Sequence, residues 1–208
     1  MKQIELEYLK KKVDVDLKKQ LISGRVLLDR YCMIDELSRK SPSYCDPNYA
    51  GFYYHLGKYI SPNSLMEFGF DLGLFSACFM ISCKTVKYYF AFRESDGSFF
   101  SERIGARNIR RSYKGNSKYH YGSIHDDVFD KVFENRWDMV IFSVEEKYDK
   151  QLQYFEFVWP YLNENAIMVC DNIRRNQATK DAFEAFAFSK NRESCFFNTR
   201  HGTMILQK

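Results

Sequence analysis

Apolar residues along this chain follow two rhythms, and one gives way to the other near residue 60. Across residues 4–37, in LEYLKKKVDVDLKKQLISGRVLLDRYCMIDEL, leucines and isoleucines recur at helical spacing, with Gly24 as a break between two predicted helices. Ser41-Pro42-Ser43 ends that unit. A further helix is predicted over 47–59, opening on Pro47 with Asp46 as its cap and stopping before Ser61-Pro62-Asn63. From Ser64 onward the apolar residues gather into short continuous runs. SLMEFGFDLGLFSACFMI, residues 64–81, reads as a buried strand, a glycine-bearing turn and an apolar helix over 74–81. TVKYYFAFRES, RWDMVIFSVEE and NAIMVCDNI are further short runs that end in polar or acidic residues, the pattern of parallel strands covered on both faces.

The turn in the first of these runs carries the chain's most specific chemistry. Gly69 and Gly73 let the backbone bend sharply and approach a ligand, the N-terminus of the next helix faces the same turn, and Glu67 stands at the strand end. Two glycines four apart also describe a plain strand-to-helix turn with no ligand. Glu94 narrows the choice: it ends the second β-rich run, roughly twenty residues beyond the turn, where a carboxylate accepts both hydroxyls of a ribose.

The order of these pieces resembles the class I S-adenosylmethionine-dependent methyltransferases, in particular the small O-methyltransferase-like branch that includes catechol O-methyltransferase. The resemblance covers residues 61–208. It implies an α/β, Rossmann-like, doubly wound sheet of seven mostly parallel strands, preceded by a helical extension over residues 1–60 that serves as a lid, a homodimer surface or a layer over one sheet edge. Tyr44, Tyr53, Tyr54 and His55 are the residues of interest in that extension. In the family the first strand ends in E-x-G-x-x-x-G-x-S, matched by Glu67, Gly69 and Gly73. Phe75 holds the serine's place and Ser76 follows it. Small residues usually separate the two glycines, whereas this chain has Phe70, Asp71 and Leu72; Asp71 either repels the carboxylate of the methionine moiety or holds its ammonium. The implied cofactor, S-adenosylmethionine, would meet Glu67, Gly69, Phe70, Gly73 and Ser76 at its methionine end and Glu94 at its ribose. GSIHDD, after a third strand near residues 119–121, would put Gly122, Ser123 and Ile124 around the adenine.

The family's fourth strand, D-L-V-F-I-D-G, is matched at Asp138 and Val140, but Ser143 stands in place of the second Asp. The fifth ends in Asp171-Asn172, as family members end in D-D or D-N. In metal-dependent members this pair and the missing Asp bind a divalent cation, usually magnesium, through hard oxygen ligands. With Ser143 the set loses a charge, which Glu145 or Glu146 would have to replace. The other reading of Asp171-Asn172 is a cap on the helix predicted over 177–188. Glu145, Glu146, Asp171 and His125 are the candidate bases, needed only where the acceptor is not already ionised. CFFNTRHGTMILQK fits the family's final antiparallel hairpin, with its turn near residues 200–202. The expected activity is methyl transfer to an oxygen of a small-molecule or sugar-like acceptor. The alternatives are a binding protein that has kept the fold without catalysis, or an RNA or cap methyltransferase.

Composition bounds these readings. With 208 residues, 45% hydrophobic and 17% aromatic, the chain is long and apolar enough for one α/β core and is not a disordered chain. No run approaches the length of a membrane span and MKQIELEYLKKK has no signal-peptide core, so a soluble, cytoplasmic protein is expected. Cys32, Cys45, Cys78, Cys83, Cys170 and Cys195 include no C-x-x-C pair and read as reduced thiols. The net charge of +4 is modest, but Arg103, Arg107, Arg110, Arg111, Lys114 and Lys118 lie among Tyr113, Tyr119 and Tyr121 with no acidic residue between Glu102 and Asp126. This segment is either a solvated helix face or a track for an anionic substrate or RNA.

Overall fold

The structure, a computed structural model, describes residues 3–19, 47–70, 72–94, 99–144 and 146–208. The expected break at Gly24, the stop at Ser41-Pro42-Ser43, the Asp46 cap, Tyr44, Cys32, Cys45, Asp71 and Glu145 lie outside these residues. In chain order the elements are α1 (Leu6–Lys19), α2 (Pro47–Tyr59), β1 (Ser64–Phe68), α3 (Leu74–Ser82), β2 (Tyr88–Glu94), α4 (Phe99–Ser112) and β3 (Asn116–Gly122). They continue with α5 (Val128–Val132), β4 (Trp137–Phe142), α6 (Tyr148–Val158), β5 (Leu162–Cys170), α7 (Gln177–Ser189), β6 (Ser194–Phe197) and β7 (Thr203–Gln207).

The seven strands form one sheet in the order β3-β2-β1-β4-β5-β7-β6. Strands β1 to β5 pair in parallel, and β7 runs antiparallel to both β5 and β6, which is the expected closing hairpin. The chain winds outward from β1 through β2 to β3, then returns to β4 on the other side. The C-terminal ends of β1 and β4 therefore meet at a topological switch point, the place where open α/β sheets bind ligands.

Alternation along each strand sends neighbouring side chains to opposite faces. Leu65, Tyr89, Ala91, Met139, Ile141, Ile167 and Val169 face one core, with Leu9 and Val13 of α1, Phe52 and Leu56 of α2, Phe79 of α3 and Ile109 of α4. Met66, Phe68, Phe90, Val140, Phe142 and Met168 face the other, with Phe129 of α5, Phe155 of α6 and Phe183 of α7. Helix α3 is buried along nearly its whole length because the sheet lies on one side of it and α2 on the other. Gly57 makes that contact close: a Cβ there would strike the Phe79 carbonyl oxygen.

One expectation about helix ends is corrected here. Asp171-Asn172 does not cap the helix after β5; Asn176 does, its Oδ1 accepting the Ala178 and Thr179 amides at 3.0 and 3.4 Å. Asn172 adopts a left-handed conformation, φ +62°, that breaks the chain away from β5 before the helix begins. Cys78, Cys83, Cys170 and Cys195 are buried.

Candidate cofactor and transfer site

At the switch point the glycine turn folds against the end of β4. The Gly69 and Phe70 amides both donate to the Phe92 carbonyl, at 2.9 and 3.1 Å, and the Ser143 amide donates to the Phe68 carbonyl at 2.8 Å. Gly69 has φ +88°, and a Cβ on it would lie 2.7 Å from the Ser143 carbonyl; Gly73 has φ +59°, and its Cβ would meet the Phe70 ring at 2.7 Å. Both positions therefore exclude a side chain on backbone conformation and on space. The cleft bounded by Glu67, Gly69, Leu72, Gly73, Leu74, Phe75 and Ser143 holds about 10 Å³, room for one water.

Glu67 is 2% exposed and accepts hydrogen bonds from Ser76 Oγ at 2.6 Å and the Tyr89 hydroxyl at 2.5 Å. Ser76 thus stands behind the turn, its hydroxyl committed to Glu67, and does not line the cleft. Phe75, in the serine's place, does line it. Its ring stacks on Tyr53 and Tyr49, with centroids 4.7 and 5.5 Å away. Phe70 points the other way and packs on Tyr119 at 5.2 Å.

Glu94 closes β2 and is held from α6. Lys150 Nζ bonds its carboxylate and also reaches Glu146 Oε1 at 3.2 Å, and the Glu94 carboxylate adds to burial in raising the Tyr154 hydroxyl. The Glu94 contact is the main reason the Lys150 ammonium is stabilised above the ordinary lysine range. Glu146 therefore faces the β2 side of the site and does not reach Asp171.

After β3, the Asp126 carboxylate organises the Gly122–Ser123–Ile124 loop. Its Oδ2 lies 2.7 Å from His120 Nε2 and accepts the Ser123 amide at 2.9 Å. The Ser123 amide, followed by His120, pulls the Asp126 carboxyl below the ordinary range. Ile124 is buried; His125 is exposed, its amide donating to Ser123 Oγ at 3.2 Å. Strands β2 and β1 separate β3 from β4, which at about 4.8 Å per strand sets His125 on the order of 14 Å from the end of β4.

At the end of β5, Asp171 is fully buried, and four donors surround it. Oδ1 accepts Thr203 Oγ1 at 2.8 Å, the Asn172 amide at 3.0 Å and the Tyr49 hydroxyl at 3.2 Å; Oδ2 accepts the Tyr53 hydroxyl at 3.1 Å. Burial nevertheless raises the carboxyl to about 6, and together with the neighbouring Asp171 it raises both tyrosines, which remain protonated donors. Beside Asp171, Ser143 Oγ and Asn172 Nδ2 are buried atoms with no hydrogen-bond partner among the described residues.

These residues do not fit a divalent cation. Hydroxyl and amide protons point at both Asp171 oxygens, Ser143 brings no charge and Glu146 is turned away. Among the described residues no cluster of three His, Cys, Asp or Glu side chains could hold a metal. Glu145, the other carboxylate that could replace the missing charge, lies outside the described residues, and both oxygens of Asp171 already accept hydrogen bonds.

Sequence reasoning missed Tyr49, Thr203, Lys150, Tyr154 and the His120–Asp126 pair. Only Lys150 carried a local signal, its i, i+4 spacing from Glu146.

No protein-family model matches the chain, and no curated protein sequence matches it. Solved structures do. An O-methyltransferase from Bacillus cereus, in complex with S-adenosylhomocysteine, is similar at a TM-score of 0.70 and 13% identity over 96% of this chain and 100% of that one. The Podospora anserina methyltransferase PaMTH1, bound to the same molecule, gives 0.64 and 12% over 99% and 97%. TomG, an O-methyltransferase of Streptomyces achromogenes involved in tomaymycin synthesis, in complex with S-adenosylmethionine, gives 0.62 and 13% over 99% of both chains. At these identities the likeness is one of fold, and the fold is that of the class I S-adenosylmethionine-dependent methyltransferases. No helix among the described residues is long and apolar enough to cross a membrane.

Proposed function

We propose that the protein binds S-adenosylmethionine and transfers its methyl group to an oxygen of a small molecule without help from a divalent cation. The observation that carries this reading is the pairing of two side-chain-excluding glycines at the β1/β4 switch point with an acid, Glu94, at the end of the adjacent strand. When bound, the cofactor supplies an electrophilic methyl on a sulfonium. The chain's own task is positioning. Glu94, held by Lys150, offers carboxylate oxygens to the ribose hydroxyls, while the Asp126-braced loop borders the adenine. Gly69 and Gly73 admit the methionine end close to the backbone. Ser143 Oγ and Asn172 Nδ2 are the uncharged polar atoms left to orient an acceptor.

With Asp171 sealed by its donors, this reading suits an acceptor oxygen acidic enough to ionise on its own, a phenol or a carboxylic acid, better than an alcohol. A second reading, a binding protein that retains the fold without transfer, is favoured by the small cleft and by Phe75 in the serine's place.

Calorimetric titration with S-adenosylmethionine and S-adenosylhomocysteine, with and without magnesium, separates the two. Micromolar binding that Glu94→Ala abolishes and magnesium leaves unchanged supports the transferase. Folded protein that binds neither molecule leaves the second reading.

A further inference from the structure

The positive charge of this protein is not spread over its surface. Arg103, Arg107, Arg110, Arg111, Lys114 and Lys118 are the only charged residues between Glu102 and Asp126. Setting those six aside leaves 25 lysines and arginines against 27 acids, so the remainder of the chain is net negative. The whole excess sits on one segment.

The fold gathers that segment into one stripe. At 100° per residue, positions 103, 107, 110 and 111 of α4, continued by Lys114, fall within an arc of roughly 100°. All five are exposed. None of the five makes an ion pair among the described residues. Lys118, on the edge strand β3, shares the opposite sheet face with Phe90 and is not part of the stripe. The inner side of α4 is fixed: Ile104 and Ile109 enter the core, and buried Asn108 donates through Nδ2 to the Leu72 carbonyl at 2.9 Å. The stripe is thus held rigidly on the body of the protein, and four of its five cations are the arginines that pair best with phosphate.

The aromatic residues of the segment decide what kind of phosphate partner fits. Tyr113, Tyr119 and Tyr121 pack against the hydrophobic core, and Tyr119 lies on Phe70. They are not offered as a platform on which unpaired bases could stack. A partner must therefore present its phosphates outward in a regular row and keep its bases to itself, as a duplex does.

We propose that the exposed face of α4, continued by Lys114, is a docking surface for the sugar-phosphate backbone of a double-stranded nucleic acid. Recognition is by charge and not by sequence. The inference stands apart from the transferase reading, because it uses neither the glycine turn nor Glu94.

The test is fluorescence anisotropy of a labelled 20-base-pair RNA duplex titrated with the full chain between 50 and 200 mM salt. Neutralising five phosphates weakens binding roughly 500-fold over that range. Arg107→Glu with Arg111→Glu should lower affinity at least tenfold at 50 mM salt and make the log-log salt slope shallower by about 2. Melting temperature checks that this variant is folded, and Arg107→Gln with Arg111→Gln repeats the comparison without charge reversal. Three results overturn the proposal: no duplex binding at 50 mM salt, equal binding by the folded variants, or tighter binding to a single strand or to phosphatidylserine vesicles than to the duplex.

Discussion

The Tyr53 hydroxyl donates to Asp171 Oδ2 at 3.1 Å, joining the helix before the sheet to the end of its fifth strand. Tyr49 makes the same kind of bond to Oδ1 one helical turn earlier. The two hydroxyls fix α2 against the C-terminal end of β5. Their rings carry the contact onward to Phe75 and the glycine cleft. Removing either donor leaves a buried carboxylate short of a partner. Tyr49→Phe and Tyr53→Phe should each lower stability by about 1.5–3 kcal/mol, and the double variant should fall short of the sum because both bond one group. Urea unfolding monitored by circular dichroism checks this; unchanged midpoints in both variants would mean that the bonds do not form.

The same carboxylate sets a pH dependence. Burial lifts Asp171 to about 6 from the ordinary 3.8 of an aspartate, so the folded state binds its proton more tightly than the unfolded state does. A raised pKa stabilises the fold fully below the unfolded value, and that contribution is lost as pH rises through the folded one. Between pH 4 and pH 7 the loss is on the order of 3 kcal/mol. Asp171→Asn cannot titrate. The stability difference between the variant and the native protein should therefore shift in favour of the variant as pH rises through this window. A difference that is flat with pH would place the carboxyl at its ordinary value.

The absence of a fit for a cation also has a measurable form. Saturable Mn²⁺ binding, followed by electron paramagnetic resonance, should not occur at Asp171 in the native protein. Ser143→Asp alone should not create it, because four donors still hold the Asp171 oxygens. Adding Tyr49→Phe and Tyr53→Phe to Ser143→Asp should expose two carboxylates to the ion and allow binding. Native binding that Asp171→Asn removes would reverse the assignment.

Gly69 provides a test of the turn itself. Gly69→Ala puts a Cβ on a left-handed residue, 2.7 Å from the Ser143 carbonyl, so the turn must move away from β4. The variant should lose at least 1 kcal/mol of stability, by order of magnitude, and most of its affinity for S-adenosylmethionine. Calorimetry beside thermal unfolding distinguishes a lost site from a lost fold.

What the sequence made legible follows from the range of the interactions involved. The turn at Gly69 and Gly73 could be read because a left-handed backbone and a close approach demand glycine at short spacing. Helix α2 and the closing hairpin could be read because prolines, glycine and apolar periodicity are local signals. Asp171 was visible as a strand-end acid, but its role depends on Tyr49, 122 residues away, and Thr203, 32 residues away. No spacing rule connects those positions. The cap on α7 was misplaced because Asp171-Asn172 and Asn176 are both cap-forming residue types, and only the left-handed turn at Asn172 decides between them.

Glu94 and Lys150 lie 56 residues apart, and their contact separates a supporting group from a binding one. Both side chains are more than a third exposed, so water and salt screen the ion pair and limit its worth to about 1 kcal/mol. Glu94 itself would accept charge-assisted hydrogen bonds from two ribose hydroxyls, each worth about 1.5–3 kcal/mol. Glu94→Ala should therefore weaken S-adenosylmethionine binding by more than a hundredfold. Lys150→Met, which removes only the screened ion pair, should weaken it by no more than about fivefold. Titration calorimetry of the two variants in parallel gives the ratio. If Lys150→Met binds more tightly than the native protein, the ammonium competes with the ribose for the carboxylate instead of holding it in place.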